Sequence, residues 1–151
     1  MTETAAPLDA HLGYWLRLVS NHVSQRFARQ VEAKGVTVAE WVLLRALFDH
    51  DTQQPSALAD TLGLTRGAIS KLADRLQKKS LLAREADDDD RRAHRLRLTQ
   101  AGRALVPQLA ALADENDARF FAALSEKDRA ALAAMLRQLA RAHDLKQSPI
   151  D

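Results

Sequence analysis

The sequence predicts a mainly α-helical protein with one small β-hairpin, a winged helix-turn-helix core flanked by long N- and C-terminal dimerisation helices. Three observations carry this. Residues 55–76, PSALADTLGLTRGAISKLADRL, read as two short helices joined by a tight turn. Two short strand-like stretches with a charged tip follow directly, over 82–98. Long amphipathic patterns occupy both ends of the chain.

In the helix pair, Leu58, Leu62, Leu64, Ile69 and Leu72 fall where two crossing helices touch, and Ala59 is small at their closest approach. Gly63 sits at the turn, where glycine takes positive φ without a Cβ clash. Thr65 is placed to cap the second helix. That helix exposes Arg66, Gly67, Ser70, Lys71 and Asp74, a mostly small, polar or basic face of the kind that meets base edges and phosphates. An ordinary core hairpin would explain Ala59 and Gly63, but it does not ask for the basic face.

The next elements read as a wing. Leu82–Ala86 and His94–Leu98 are short strands, the second with Leu96 and Leu98 on one face and Arg95 and Arg97 on the other. Arg91 and Arg92 at the tip are placed to enter an adjacent minor groove, whose negative potential attracts arginine. The acidic run Asp87 to Asp90 opposes phosphate, so some of it is expected to cap the turn or to pair with Arg91, Arg92 or Arg95. Residues 64–103 hold eleven Lys or Arg against six acids, a net +5, which leaves −3 elsewhere within the overall +2. A localised basic patch is the footprint of nucleic-acid binding. The DNA-contacting set is therefore expected to be Thr65, Arg66, Gly67, Ser70, Lys71, Arg75, Arg91, Arg92 and Arg95.

The flanks are helical. Leu12, Leu16, Val19, Val23 and Phe27 predict a helix over about 8–33, stopped by Gly35. Thr37 and Glu40 form a capping box opening a helix to about Asp49, with Trp41, Leu44 and Phe48 as its buried stripe. Thr99 caps a helix over about 100–124, in which Pro107 predicts a kink. Ser125 starts a last helix to about Asp144, and the tail KQSPID is expected to fray. The stripes at Leu12, Val19, Leu132 and Leu136 have no home in one protomer, which predicts a homodimer placing two reading helices over a pseudo-palindromic site in double-stranded DNA. The expected organisation is one domain over 1–151, with a DNA-binding lobe over 37–99 and dimerisation helices over 8–34 and 100–145.

Composition narrows the alternatives. The chain has 151 residues, 46% of them hydrophobic, and no Cys, so disulfides and zinc–thiolate sites are excluded. No apolar run approaches the roughly 18 residues of a membrane span, and the polar, acidic N-terminus is unlike a signal peptide, so no membrane partner and a cytoplasmic location are expected. There is no nucleophile–base constellation, phosphate loop, metal-ligand spacing or cofactor motif, so an enzyme, a metal and a cofactor are not expected. Residues 64–103 contain no Phe, Tyr or Trp to stack single-stranded bases, which weakens an RNA-binding or architectural reading.

The stretch 90–102, Asp-Arg-Arg-Ala-His-Arg-Leu-Arg-Leu-Thr-Gln-Ala-Gly, is similar to the wing signature of the MarR family of bacterial regulators, and the order of helices around one hairpin over about 8–145 resembles that family too. The resemblance implies an obligate dimer interlocked through the first, fifth and sixth helices, bound to pseudo-palindromic promoter DNA and usually repressing. It also implies release by a small aromatic or phenolic anion held between the dimerisation and DNA-binding regions. Two features depart from the pattern: the heavier acidic run at 87–90, and the lack of Cys, which excludes the thiol-based peroxide-sensing branch. Trp15 and His22 share one face of the first helix, beside His11, Tyr14 and Arg17, and Trp41 and Arg45 are four apart on the second. Rings with Arg and His suit a planar carboxylate or phenolate, so these four are the candidate effector residues. Core tryptophans and an interface histidine are the competing reading. A ligand-independent nucleic-acid-binding architectural protein is the alternative function.

Overall fold

The computed structural model describes residues 2–87, 89 and 94–151. Its helices are α1 (Leu12–Glu32), α2 (Val38–Phe48), α3 (Pro55–Leu62), α4 (Arg66–Lys78), α5 (Gln100–Phe120) and α6 (Glu126–Ala142), with strands β1 (Leu82–Ala86) and β2 (His94–Leu98) between α4 and α5. No described helix is long and apolar enough to cross a membrane.

The expected element order holds, with local corrections. The first helix starts at Leu12 rather than Leu8, because His11 is extended and Leu8–Ala10 form a separate 3-10 turn. The Trp15 indole Nε1 donates to the Asp9 carbonyl at 2.8 Å and ties this turn back onto the helix. The capping box of α2 is present: Glu40 N donates to Thr37 Oγ1 and Thr37 N to Glu40 Oε1, both at 3.1 Å. Its buried stripe, however, is Glu40, Leu43, Leu44 and Leu47, with Trp41 and Phe48 half-buried. The phase is one position away from the expected one because Glu40 reads as a surface residue. It is 1% exposed, and the charge is tolerated because Lys79 Nζ lies 2.9 Å from Oε2 and 3.0 Å from Oε1. The same ammonium donates to the Gly35 carbonyl at 2.8 Å.

The wing strands pair antiparallel, Leu82 opposite Leu98 and Ala86 opposite His94. Gln53 extends the ladder by one residue, exchanging backbone hydrogen bonds of 2.9 and 2.8 Å with Leu96. Leu82, Leu96 and Leu98 join the core formed by Val31, Leu43, Leu44, Leu47, Leu58, Ile69, Leu72, Leu76, Val106 and Leu109. Helix α5 is continuous through Pro107, which is exposed, and ends in a 3-10 turn, Phe121–Ala123.

The tail does not fray. Asp144 turns the chain at φ 51°, and Ser148 N donates to the Leu62 carbonyl at 2.9 Å, at the end of α3. The tail crosses the turn at Gly63 so closely that a Cβ there would lie 2.6 Å from the Lys146 carbonyl oxygen. Gly63 thus serves both its φ of 65° and this crossing. The sequence gives no sign of the second role, since Leu62 and Ser148 are far apart in the chain.

Gly102 is the tightest contact. Thr99 Oγ1 accepts from Gly102 N at 3.1 Å as the cap of α5, and a Cβ on Gly102 would lie 2.0 Å from the Leu81 carbonyl oxygen. That carbonyl also accepts from Thr99 N at 3.2 Å, so the start of β1 and the start of α5 are held backbone to backbone. Gly102→Ala is expected to lower the unfolding free energy by about 1–3 kcal/mol in a denaturant melt. An unchanged midpoint would contradict this contact.

Candidate nucleic-acid interface

Helix α4 is divided along its length. Ile69, Leu72, Ala73 and Leu76 are buried, while Arg66, Gly67, Ser70, Lys71, Asp74, Arg75 and Lys78 are exposed on the other half. Thr65 Oγ1 accepts from Ala68 N at 3.1 Å, so the cap is present, and no acid occupies the first turn. The first turn of such a helix presents backbone N–H groups and the positive end of the macrodipole.

The basic stretch sorts into two groups. Lys79 is spent on Glu40 and Gly35. Arg84 reaches from β1 to α4, where its Nη2 lies 2.7 Å from Asp74 Oδ1 and its Nη1 donates to Gln77 Oε1. Arg97 pairs with Glu85 across the hairpin. Arg103 donates to the carbonyls of Phe48 and His50 at 3.0 and 3.2 Å, capping the end of α2, with its guanidinium over the Phe48 ring at 5.4 Å. Arg95 donates from Nε to Thr52 Oγ1 at 2.7 Å, and its Nη1 lies 3.9 Å from Asp87 Oδ2. By contrast, Arg66, Lys71, Arg75 and Lys78 have no hydrogen-bond or ion-pair partner among the described residues. Pairing of Asp74 with Arg84 also neutralises the acid on this face.

Of the expected contact set, Thr65, Arg66, Gly67, Ser70, Lys71 and Arg75 therefore lie together on α4. Arg95 is half-buried at the base of the wing. Arg91 and Arg92 lie outside the described residues. Lys78 joins the α4 group although it was not in the expected set; its position seven residues after Lys71 was the available signal. Among the described residues nothing requires a glycine at 67, since a Cβ there would meet only Thr65 Oγ1, at 3.9 Å. From the acidic run, Asp87 does cap the turn and pair with Arg95: its Oδ1 accepts from Asp89 N at 3.0 Å.

The four candidate effector residues are spread out within one protomer. His22 stacks near Phe120, with centroids 5.6 Å apart. Trp41 meets Phe27 edge-on at 6.4 Å. Arg45 pairs with Asp49 at 2.9 Å. Trp15 stands twelve residues before Phe27 on α1, about 18 Å along the helix. Trp41 walls a hollow of about 230 Å3 with Ser24, Phe27, Val38 and Val42, closed on one side by Pro149 and Asp151. Trp15 instead lines a separate apolar groove of about 610 Å3 beside Leu12, Leu16, Phe121, Leu132 and Leu136.

Comparison with known proteins places this geometry. Residues 34–93 match the model of the MarR family. The transcriptional repressor MdtR of Bacillus subtilis is 28% identical over 140 residues, covering 93% of this chain and 90% of the relative. Among solved structures, MepR of Staphylococcus aureus, in complex with DNA, superposes with a TM-score of 0.77 at 26% identity, covering 87% of this chain and 98% of that one. BpsR of Bordetella bronchiseptica, whose DNA binding is regulated by 6-hydroxynicotinic acid, superposes with a TM-score of 0.78 at 25% identity, covering 91% and 98%. By name, MdtR is a transcriptional repressor, and MepR and BpsR are DNA-binding proteins. Residues 34–93 thus match the MarR family, and over nearly its whole length the chain is similar in sequence and fold to MarR-type regulators.

Proposed function

We propose that this protein is a dimeric, cytoplasmic, sequence-specific DNA-binding repressor that a small aromatic acid or phenol releases from its operator. The observation that carries the DNA part is the α4 face: four cations without partners among the described residues, around a glycine that packing does not require. Residues 37–99 are the DNA-binding lobe, and α4 enters the major groove. Arg66, Ser70, Lys71 and Arg75 meet bases and phosphates, with Gly67 giving the backbone close approach. Arg91 and Arg92 serve the minor groove. The repressor role is supported by the name of MdtR, and the effector by the ligand of BpsR.

Residues 8–34 and 100–145 supply the dimer. Leu12, Trp15, Leu16, Leu18, Val19, Met135, Leu136 and Leu139 are exposed, Leu12 at 83% and Met135 at 55%. Helix α6 has no fully buried residue. Apolar surface of this extent marks an interface, and a second copy burying it sets the spacing of the two reading helices. Sedimentation at micromolar concentration is expected to give a dimer, and Leu136→Arg to give monomers with at least about ten-fold weaker DNA binding. A wild-type monomer that binds DNA tightly would overturn this.

Duplexes selected from a random-sequence pool should show one enriched, pseudo-palindromic site. Log affinity for it should fall with log salt with a slope of about −5 or steeper, since each neutralised phosphate contributes about −0.9. Gly67→Ala should leave the melting temperature unchanged or raised, because alanine is the better helix former, while weakening DNA binding at least about ten-fold. A flat salt response, or wild-type affinity in Gly67→Ala, would remove α4 from the interface.

For the effector, the hollow against Trp41 is the ring pocket; of the four expected residues it is lined by Trp41, while Trp15 lines the separate groove. A ligand releases DNA only by binding the DNA-incompetent dimer more tightly. Aromatic carboxylates of the hydroxynicotinate type are expected to raise the melting temperature and weaken DNA binding in the wild type, and to do neither in Trp41→Ala. Equal stabilisation of both proteins would exclude this pocket.

A further inference from the structure

Asp87 does not behave as a surface acid. It is 5% exposed, at the point where β1 gives way to the tip of the wing. Its Oδ2 accepts from Gln54 Nε2 at 3.1 Å, its Oδ1 accepts from Asp89 N at 3.0 Å, and Arg95 Nη1 lies 3.9 Å from Oδ2. Arg95 in turn donates from Nε to Thr52 Oγ1 at 2.7 Å and from Nη2 to the Thr52 carbonyl at 3.5 Å. Between Thr52 and Gln54, the backbone of Gln53 pairs with Leu96 through two hydrogen bonds. Three consecutive residues that lead into α3 thus each grip the wing: Thr52 holds Arg95, Gln53 holds Leu96 and Gln54 holds Asp87.

We propose that Asp87 is a positioning residue for DNA recognition. It locks the end of β1 and the start of β2 to the entry of α3, which fixes the root of the wing relative to the helix pair. Arg95 belongs to this lock and is not a DNA contact. The inference rests on the DNA-binding reading given above. A burial this deep is stable only because each carboxylate oxygen is hydrogen-bonded and a cation stands beside it. Its use is preorganisation: a wing root held in place loses less freedom when DNA binds.

Charge and position predict opposite signs. Asp87→Ala and Asp89→Ala each raise the net charge by one, so on charge alone both tighten DNA binding. With the lock, Asp89→Ala, which keeps the backbone N–H on Asp87, tightens binding slightly, whereas Asp87→Ala weakens it about ten-fold. Gln54→Ala, which changes no charge and sits at an exposed residue, weakens binding as well, and adds little to Asp87→Ala because both break one unit. Asp87→Asn, which still accepts the Asp89 N–H, recovers part of the loss.

The readouts are affinity for a duplex selected by the wild type and base preference along that duplex. Loss of the lock erodes preference at the flanks and spares the central bases read by α4, whereas general destabilisation scales all positions together. Tighter binding by Asp87→Ala, or wild-type affinity in Gln54→Ala, overturns the proposal. Hydrogen exchange over 82–98 of the free protein supplies a measurement that needs no DNA. Exchange should rise in Asp87→Ala and Gln54→Ala and not in Asp89→Ala. If the wild type selects no duplex, the regulatory reading fails, and this exchange pattern still decides whether the lock exists.

Discussion

Burial of Ile69, Leu72, Ala73 and Leu76 is the constraint on which the rest depends. Each of the larger three is worth about 2 kcal/mol of apolar transfer, enough to fix the rotation of α4 about its axis. With that rotation set, Arg66, Lys71, Arg75 and Lys78 have no route inward. The surrounding elements are then held to this helix from three sides. Arg84 ties β1 to Asp74, Lys79 ties the end of α4 to Glu40, and Gly102 brings α5 onto the Leu81 carbonyl that follows α4. The cations that hold the lobe together and the cations that face outward are different residues. Net charge cannot make this distinction, and hydrogen-bond geometry can.

Much of this was legible in the chain. Local signals, namely period, caps and turn glycines, act within a few residues, and they located all the main helices and both strands. Thr37, Thr65, Thr99 and Ser125 all accept the backbone N–H expected of a cap. The misses are long-range. The stripe of α2 was phased on Trp41 because the partner that makes Glu40 tolerable, Lys79, lies far along the chain, just past the end of α4. The ladder residue Gln53 is a single position with no period to read. The tail KQSPID has no pattern, and its hold on Leu62 is a backbone hydrogen bond that any sequence could make. Within the site, the α4 face was readable from spacing alone. The pairing of Arg95 with the acidic run was among the expected ones, whereas the engagement of Arg97 and Arg103 was not, since their partners are set by tertiary placement.

The two ends of the chain meet the reading unit differently. Helix α1 and helix α6 present apolar surface outward, whereas the segment after α6 returns to the α3–α4 turn and lies across Gly63. A change in how the long helices sit therefore has a short mechanical path to the reading pair, through Ser148 and Leu62. The same tail closes one side of the hollow against Trp41, so occupancy of that hollow and the position of the turn are physically adjacent. In MarR-type proteins generally, coupling needs a difference in ligand affinity between two arrangements.

The central claim is that the outward face of α4 is the surface that meets DNA. Lysine acetylation read by mass spectrometry tests it directly, with and without a selected duplex, because the six lysines sample the whole protein. DNA is expected to slow modification of Lys71 and Lys78 and to leave Lys34, Lys127 and Lys146 unchanged, with Lys79 already slow in the free protein because Glu40 and Gly35 hold its ammonium. Protection at Lys34, Lys127 or Lys146 with Lys71 and Lys78 left reactive would contradict it.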